Sequence, residues 1–256
     1  GVDYEPMILV FRSRALWLMG QPDEAERASR LALESAAVTN HPSSNASTLE
    51  NHGLLELMRR DDRAAASYVR QCLALSREYG FLHFRLSGEA ILVSAESRYA
   101  ALAAGDHDVV ERISAAKHAI DCLQEHGILF FCLPCWATLA EACIAFGRFR
   151  DAEEMIDKAL AISGPDGVRY WEAELYRLTG ALAWARDDSE GARTGYHQAL
   201  AMAREQGALS LELRAATSLF ELEGDADSHA LLAEVFGRFT EGFDTPDLKH
   251  AAELLA

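Results

Sequence analysis

Residues 136–159, WATLAEACIAFGRFRDAEEMIDKA, decide the fold. Trp136, Leu139, Ala140 and Cys143 recur at the i, i+3, i+4, i+7 spacing of one helical face. Gly147-Arg148 then breaks the run, and Phe149, Ala152, Ile156 and Ala159 open a second face of the same period. Two amphipathic helices joined by so short a turn must fold back on one another. The small Ala140 and Ala152 let the two backbones approach closely, while Trp136, Leu139 and Phe149 are large enough to fill the groove toward a neighbouring pair.

The same punctuation recurs along the chain. Inner turns fall at Gly20-Gln21-Pro22-Asp23, Arg60-Asp61-Asp62, Gly105-Asp106, Gly147-Arg148, Arg186-Asp187-Asp188 and Gly224-Asp225, at intervals of 40, 45, 42, 39 and 38 residues. Closing signals stand at Glu78-Tyr79-Gly80, Glu125-His126-Gly127, Ser163-Gly164 and Glu205-Gln206-Gly207. Six repeats follow, at 5–42, 43–82, 83–128, 129–166, 167–208 and 209–256. The fifth repeats the small-residue pattern with Gly180, Ala183, Ala192 and Ala199, and the second with Gly53 and Ala65. The third departs from it, since Arg98 and Val110 stand where small residues are expected, and a local change in the superhelix is the expectation there. In the sixth, Phe236, Phe239 and Phe243 surround Thr240-Glu241-Gly242, and Asp244-Thr245-Pro246-Asp247 opens a last helix that reads as a C-terminal cap. The stretch Asn40-His41-Pro42-Ser43-Ser44-Asn45 is the weakest helix former and is expected to be a long turn between pairs. No run alternates β-branched and polar residues, so the fold class is all-α: a right-handed superhelix of about six helix pairs with a capping helix, forming one quasi-linear domain.

The residues of the fourth repeat fall where tetratricopeptide repeats place their signature, and the chain resembles that repeat class. Its end is more specific. Leu209-Ser210-Leu211-Glu212-Leu213-Arg214-Ala215-Ala216-Thr217-Ser218-Leu219, with Phe236-Gly237-Arg238-Phe239-Thr240-Glu241-Gly242-Phe243-Asp244-Thr245-Pro246-Asp247-Leu248, is similar to the C-terminal signature of bacterial STAND-type ATPases fused to class III adenylate cyclase or winged-helix transcription-regulator domains. The resemblance implies a parent with an N-terminal output domain, a central ATPase and this array as sensor or scaffold. Gly1-Val2-Asp3-Tyr4-Glu5, lacking an initiator Met, agrees with a fragment of such a protein.

Bulk properties narrow the partners. Twenty-four Lys and Arg against 40 Asp and Glu give a net charge of −16, a field that repels phosphate backbones and anionic lipid, so neither nucleic acid nor membrane is an expected partner. With 50% apolar residues the chain can bury a core unaided, and its five cysteines, odd in number and scattered in apolar segments, read as reduced thiols of a cytoplasmic protein. No apolar stretch reaches the roughly 18–20 residues of a membrane helix.

Catalytic constellations are missing from the sequence. No Gly-x4-Gly-Lys-Ser/Thr or Gly-x-Gly-x-x-Gly loop, no His-Glu-x-x-His helix and no Gly-x-Ser-x-Gly elbow occurs, so no enzymatic activity, cofactor or metal is expected of this chain. Cys132-Leu133-Pro134-Cys135 is chemically suggestive near a helix start. Its adjacency to Trp136, and the lack of a second ligand pair, favour buried inert thiols. The nine histidines are dispersed and read as partly exposed helix residues. Asp61-Asp62, Glu153-Glu154 and Asp187-Asp188 read as caps and solvated faces.

The first helix of each pair is expected to line a concave docking surface. Arg14, Trp17, Glu50, Tyr99, Glu141, Arg177 and Trp184 are the candidate partner-binding residues on it, with Val10, Leu54, Leu57, Leu102, Ile144 and Glu174 beside them. Trp17 and Trp184 could equally pack as core. The expected partners are protein or peptide segments, the parent's own ATPase domain among them, or a second copy of the chain; a small-molecule effector held between repeats is the alternative.

Overall fold

A computed structural model describes residues 5–103, 109–164 and 167–256, apart from the side chains of residues 100–103, 109, 110 and 112. Among the described residues every regular element is a helix: α1 Glu5–Leu18, α2 Pro22–Thr39, α3 Pro42–Met58, α4 Asp62–Tyr79, α5 Leu82–Ala103, α6 Val109–Glu125, α7 Leu129–Ala145, α8 Phe149–Ile162, α9 Glu172–Ala185, α10 Ser189–Gln206, α11 Leu209–Glu223, α12 Ala226–Phe236 and α13 Pro246–Leu254. None is long and apolar enough to cross a membrane. The Gly105-Asp106 turn, Val110 and the Leu102 side chain lie outside what is described.

Helices pair in sequence, and the odd-numbered ones also touch one another in succession, α1 on α3, α3 on α5, and so on to α11. The odd helices therefore form the inner wall. Those inside the array are buried on most sides: residues 50–58 of α3, 131–140 of α7 and 209–219 of α11 are buried without a break, whereas α1 at the end leaves Met7, Ile8 and Phe11 exposed. The outer helices stay amphipathic, burying a stripe such as Ala152, Met155, Ile156 and Ala159 of α8 and exposing the rest. Small residues set the spacing within pairs. A Cβ on Gly195 of α10 would stand 2.6 Å from the Gly180 backbone of α9, and one on Gly180 would stand 2.7 Å from the Tyr196 ring.

Left-handed turn residues punctuate the pairs. Gly20 and Gly147 take this conformation, with φ of 83° and 71°, at no steric cost. Asp187 takes it in the fifth inner turn, Arg186-Asp187-Asp188, at φ 62°. The long turn expected over residues 40–45 is only two residues, Asn40 and His41. Asn40 closes α2 in the left-handed region at φ 48°, and Pro42 starts α3 as its first residue, where the missing N–H is no loss.

The sequence suggested an open inner wall, but the superhelix winds until its ends meet. α1 packs against α11. Trp17 stacks on Trp171 at 5.7 Å, its backbone carbonyl accepts the Ser210 hydroxyl at 2.5 Å, and the Met58 carbonyl accepts an Arg214 N–H at 2.6 Å. The loop before α13 seals the seam: Pro22 sits so close to Gly242 that a Cβ there would fall 1.9 Å from the proline ring.

Candidate functional site

Closing the ring brings charged side chains from five inner helices toward one another. Helix α3 ends with an i-to-i+5 closure, Asp61 N–H to the Glu56 carbonyl at 2.9 Å, which places Arg60 in the left-handed region at φ 67°. A non-glycine residue there carries about 1–2 kcal/mol of strain. The result is to turn the Arg60 side chain inward, where its guanidinium lies 2.8 Å from Glu141 of α7, 3.8 Å from Glu174 of α9 and 3.0 Å from Asp247 of α13.

Three further guanidiniums complete the cluster. Arg98 of α5 is 5% exposed; it donates to both carboxylate oxygens of Asp62, to the Leu57 carbonyl at 2.8 Å and to Glu141 at 3.5 Å. Arg177 of α9 grips Glu174 with two N–H groups at 3.0 and 2.8 Å and reaches Glu141 at 3.3 Å. Arg214 of α11 donates to Asp247 at 2.8 Å and lies over the Trp17 ring at 5.1 Å. Glu141 is thus the hub of three arginines. Burial alone would raise its pKa, yet Arg60, Arg177 and Arg98 outweigh burial and hold it well below the usual carboxylate range. Burial would lower the pKa of Arg60 and Arg177, but their carboxylate partners more than compensate. Arg214 goes the other way: burial, with Arg60 and Arg177 nearby, pushes its pKa down despite Asp247 and Glu174.

This cluster lines a cavity of about 370 Å³ whose walls include Arg60, Arg98, Glu141, Arg177, Arg214 and Asp247. A second cavity of about 410 Å³ carries both signs of charge, Arg59, Arg60 and Arg63 with Glu56, Asp61, Asp62 and Asp244, beside Tyr99. Pro246 and Arg60 border both.

The candidate residues named from sequence divide into three groups. Glu141 and Arg177 meet in the cluster. Arg14, Trp17 and Glu50 lie on the inner side but are only 3%, 3% and 1% exposed, so the closed ring leaves them no open surface. Arg14 bonds Asn51 and sits over the Phe11 and Phe130 rings; burial lowers its pKa to about 10. Glu50 accepts the Ser87 hydroxyl, and burial raises its pKa well above the ordinary value despite Arg14. Tyr99 and Trp184 are exposed, at 41% and 42%, Tyr99 accepting from Arg63 at the rim of the second cavity. Sequence reasoning missed Arg60, Arg214 and Asp247 as inner residues, took Arg98 for a departure from the repeat, and took Asp62 for a solvated cap. The signal was present: Arg98, Glu141, Arg177 and Arg214 are charged residues set one repeat apart in consecutive inner helices.

Cys132-Leu133-Pro134-Cys135 is wholly buried in α7. Burial pushes the Cys132 thiol up to about 12 and Cys135 higher still, so neither forms a thiolate readily. Pro134 donates no N–H to the Phe130 carbonyl one turn back; the Tyr170 hydroxyl donates to it instead at 2.9 Å, with its ring stacked on Phe130. The motif is structural. His52, expected to be partly exposed, is buried and shares a hydrogen bond of 2.6 Å with Ser29. Among the described residues no group of three His, Cys, Asp or Glu side chains is placed to hold a metal ion.

No protein-family model matches the chain, and no curated protein matches it. Solved structures do. NprR in complex with its cognate peptide NprX superposes with a TM-score of 0.58 at 14% identity, over all of this chain and 71% of that one. The type IV pilus biogenesis factor PilW matches with a TM-score of 0.46 at 11% identity over 98% of this chain and 100% of its own, and a tetratricopeptide repeat protein from Parabacteroides merdae with 0.28 at 13% over 98% and 100%. The thirteen helices among the described residues and the NprR superposition together make the fold a tetratricopeptide-like superhelix.

Proposed function

We propose that this chain is a non-catalytic regulatory module, a sensor or scaffold, that docks protein or peptide segments at the charged inner end of its superhelix. The observation that supports this best is the buried guanidinium cluster around Glu141 beside two cavities. Well-packed apolar residues would stabilise such a position as well or better, so a charged core bordering empty space serves recognition more readily than stability. Tyr99 at the rim adds an aromatic of the kind that dominates interfaces. NprR, whose superhelix superposes on this one, was solved with its cognate peptide, which supports a peptide segment as the kind of partner.

From the C-terminal resemblance we infer for this module a parent of the bacterial STAND-type ATPase class with an adenylate cyclase or winged-helix output domain, working in the cytoplasm. Its partner is then a segment of that ATPase domain, or a second copy of this chain. The test is fluorescence anisotropy with labelled peptides tiled across the parent's upstream domains. A peptide that binds, and that loses about 2 kcal/mol of affinity on Tyr99→Ala, supports docking at this end. No binding along the whole tile, with no effect of the chain on the parent's nucleotide turnover, retires the reading.

A second reading, an effector sensor, draws on the 370 Å³ cavity, which is within the range of small-ligand sites. A melting-temperature shift with one member of a metabolite panel, abolished by Arg177→Met, would favour it over segment docking.

A further inference from the structure

We propose that Arg60 and Arg214 form a recognition site for a single carboxylate, that α13 fills this site with its own Asp247, and that the docked segment presents a carboxylate which takes Asp247's place. The nature of the partner rests on the docking reading above; the site itself rests on four features of the molecule.

The first is charge balance. Arg60, Arg98, Arg177 and Arg214 are matched by Asp62, Glu141, Glu174 and Asp247. Three of these carboxylates sit on helices within the repeats, and the fourth comes from the terminal helix. With α13 withdrawn, Arg60 and Arg214 lose the carboxylate they share, which one incoming carboxylate restores; Glu221 on the cavity wall is paired with His250 of α13 rather than with either arginine, and its charge leaves no room for a phosphate dianion. Local complementarity of this kind operates within a few ångströms, whereas the repulsion from a chain of net charge −16 is screened beyond about 8 Å at physiological salt.

The second is imperfect occupancy. Asp247 lies 3.0 Å from Arg60 Nε, yet that buried N–H has no hydrogen-bond partner, because the carboxylate approaches off its axis. A planar guanidinium is built for two parallel bonds to a carboxylate, and Asp247, tied to Arg214 at 2.8 Å, cannot supply both. A ligand free to choose its angle can.

The third is the weak anchoring of α13. It has nine residues, of which only Leu248 and Ala251 are buried. Its Pro246 lines both cavities, as Arg60 does, so α13 covers that guanidinium where the two cavities share their walls.

The fourth is Arg60 itself. It holds the left-handed position that Gly20 and Gly147 hold in other inner turns. Asp187 holds it too, in the fifth inner turn, but is exposed, whereas Arg60 turns its side chain onto Glu141 and Asp247.

The experiment uses the 256-residue chain. Asp247→Ala is expected to melt lower than wild type and to recover in sodium acetate but not in sodium chloride of equal ionic strength, whereas wild type responds alike to both salts. Labelled decapeptides of Ala, Ser and Gly are then compared: one ending in Asn with a free carboxyl terminus, one ending in Asp-amide, one ending in Asn-amide. Either carboxylate form should bind Asp247→Ala at least about tenfold tighter than wild type, since an internal competitor lowers apparent affinity by the fraction of sites it occupies. The form that binds tells whether the terminus or a side chain is read, and Arg60→Met added to Asp247→Ala should abolish the binding. Asp247→Asn, which keeps the side-chain volume, repeats the peptide arm if Asp247→Ala does not fold. Equal effects of acetate and chloride, or equal binding of the Asn-amide peptide, overturn the proposal. Because the acetate arm involves no protein partner, it reads the site separately from the docking reading.

Discussion

Glu241 caps a helix whose second residue, Asp23, lies 218 residues before it: its Oε1 accepts the backbone N–H groups of Asp23 and Glu24, each at 3.0 Å, and Asp23 Oδ2 in return accepts the Gly242 N–H at 3.2 Å. This is the reciprocal arrangement of a capping box, assembled between the two ends of the superhelix. The local N-cap of α2, Gln21, offers no side-chain hydrogen bond, so the far end of the chain supplies what the near end lacks. Glu241→Ala should cost about 1 kcal/mol, the usual worth of an N-cap. Hydrogen exchange at the Asp23 and Glu24 amides should accelerate with it, together with amides of 239–247. Acceleration confined to residue 241 and its neighbours would mean that the seam does not hold the ring closed.

Arg98 provides the second expectation. It is buried, and its removal leaves Asp62, also buried, without its partner, so Arg98→Ala should destabilise the chain by about 3–5 kcal/mol in urea titration. Arg98→Met combined with Asp62→Asn removes both charges and should recover most of that loss. A double variant no more stable than the single one would show that the pair is not the reason for the cost.

What the sequence made legible follows from locality. Helical period, glycine turns and the small residues Ala140, Ala152 and Gly180 act over a few residues or between adjacent helices, and all are visible as spacing. Pro42 misled because Asn-His-Pro-Ser is turn composition, although proline as the first helical residue is equally a start signal. The ring closure was invisible because nothing in the spacing of Asp23 and Glu241 records that they meet. Arg98 was seen but read as a misfit: a repeat signature describes what packs between helices, and a charged residue in a small-residue slot acquires meaning only when Asp62 and Glu141 are known to face it.

The pH profile should carry a signature of Glu56. Burial raises this carboxyl to about 7, with Asp61 and Glu26 adding to the shift and Arg59 opposing it. A carboxyl whose folded pKa exceeds its unfolded value of 4.5 stabilises the fold below that value, and the contribution is lost as pH rises toward 7. Glu56→Gln, which keeps the shape of the protonated form, should match wild type near pH 4.5 and exceed it at pH 8 by roughly 1–3 kcal/mol. His52, 3.7 Å away and lowered from 6.5 to about 4 by burial first and Arg59 second, stays neutral in the folded chain while the unfolded chain protonates it, so it lowers stability as pH falls below 6.5 in wild type and variant alike and cancels in their difference. Identical slopes for wild type and variant between pH 4.5 and 7 would remove Glu56 as the source.

Thiol labelling separates the cysteines by burial. Cys72, Cys132, Cys135 and Cys143 are buried, and burial lifts the first, second and fourth to about 12. Cys122 alone is partly exposed. A chromogenic disulfide should therefore react quickly with one equivalent in the native chain and with the other four only on unfolding. Fast reaction of a second thiol would place one of the Cys132-Leu133-Pro134-Cys135 sulfurs at the surface and reopen a chemical role for the motif.

The crossing of α9 and α10 tests repeat packing where backbone meets backbone. Gly195 faces the Gly180 backbone, and a methyl group there would lie 2.6 Å from both its Cα and N, atoms with no flexible end to swing aside. Gly195→Ala gains about 1 kcal/mol of intrinsic helix propensity, but the helices must separate to admit it, which overpacking data put at about 1–3 kcal/mol or more. The second effect should win because both helices are held by neighbours, α9 through Arg177 in the charged cluster and α10 through α11. Loss of stability with retained helical circular dichroism is the expected result. The neighbouring exposed site Arg193→Ala, which removes only surface ion pairs to Glu190 and Glu223, should change stability by less than about 1 kcal/mol and serves as the control. A stabilised Gly195→Ala variant would mean that the pair has room the geometry does not allow, and that close backbone contact is not what fixes this repeat.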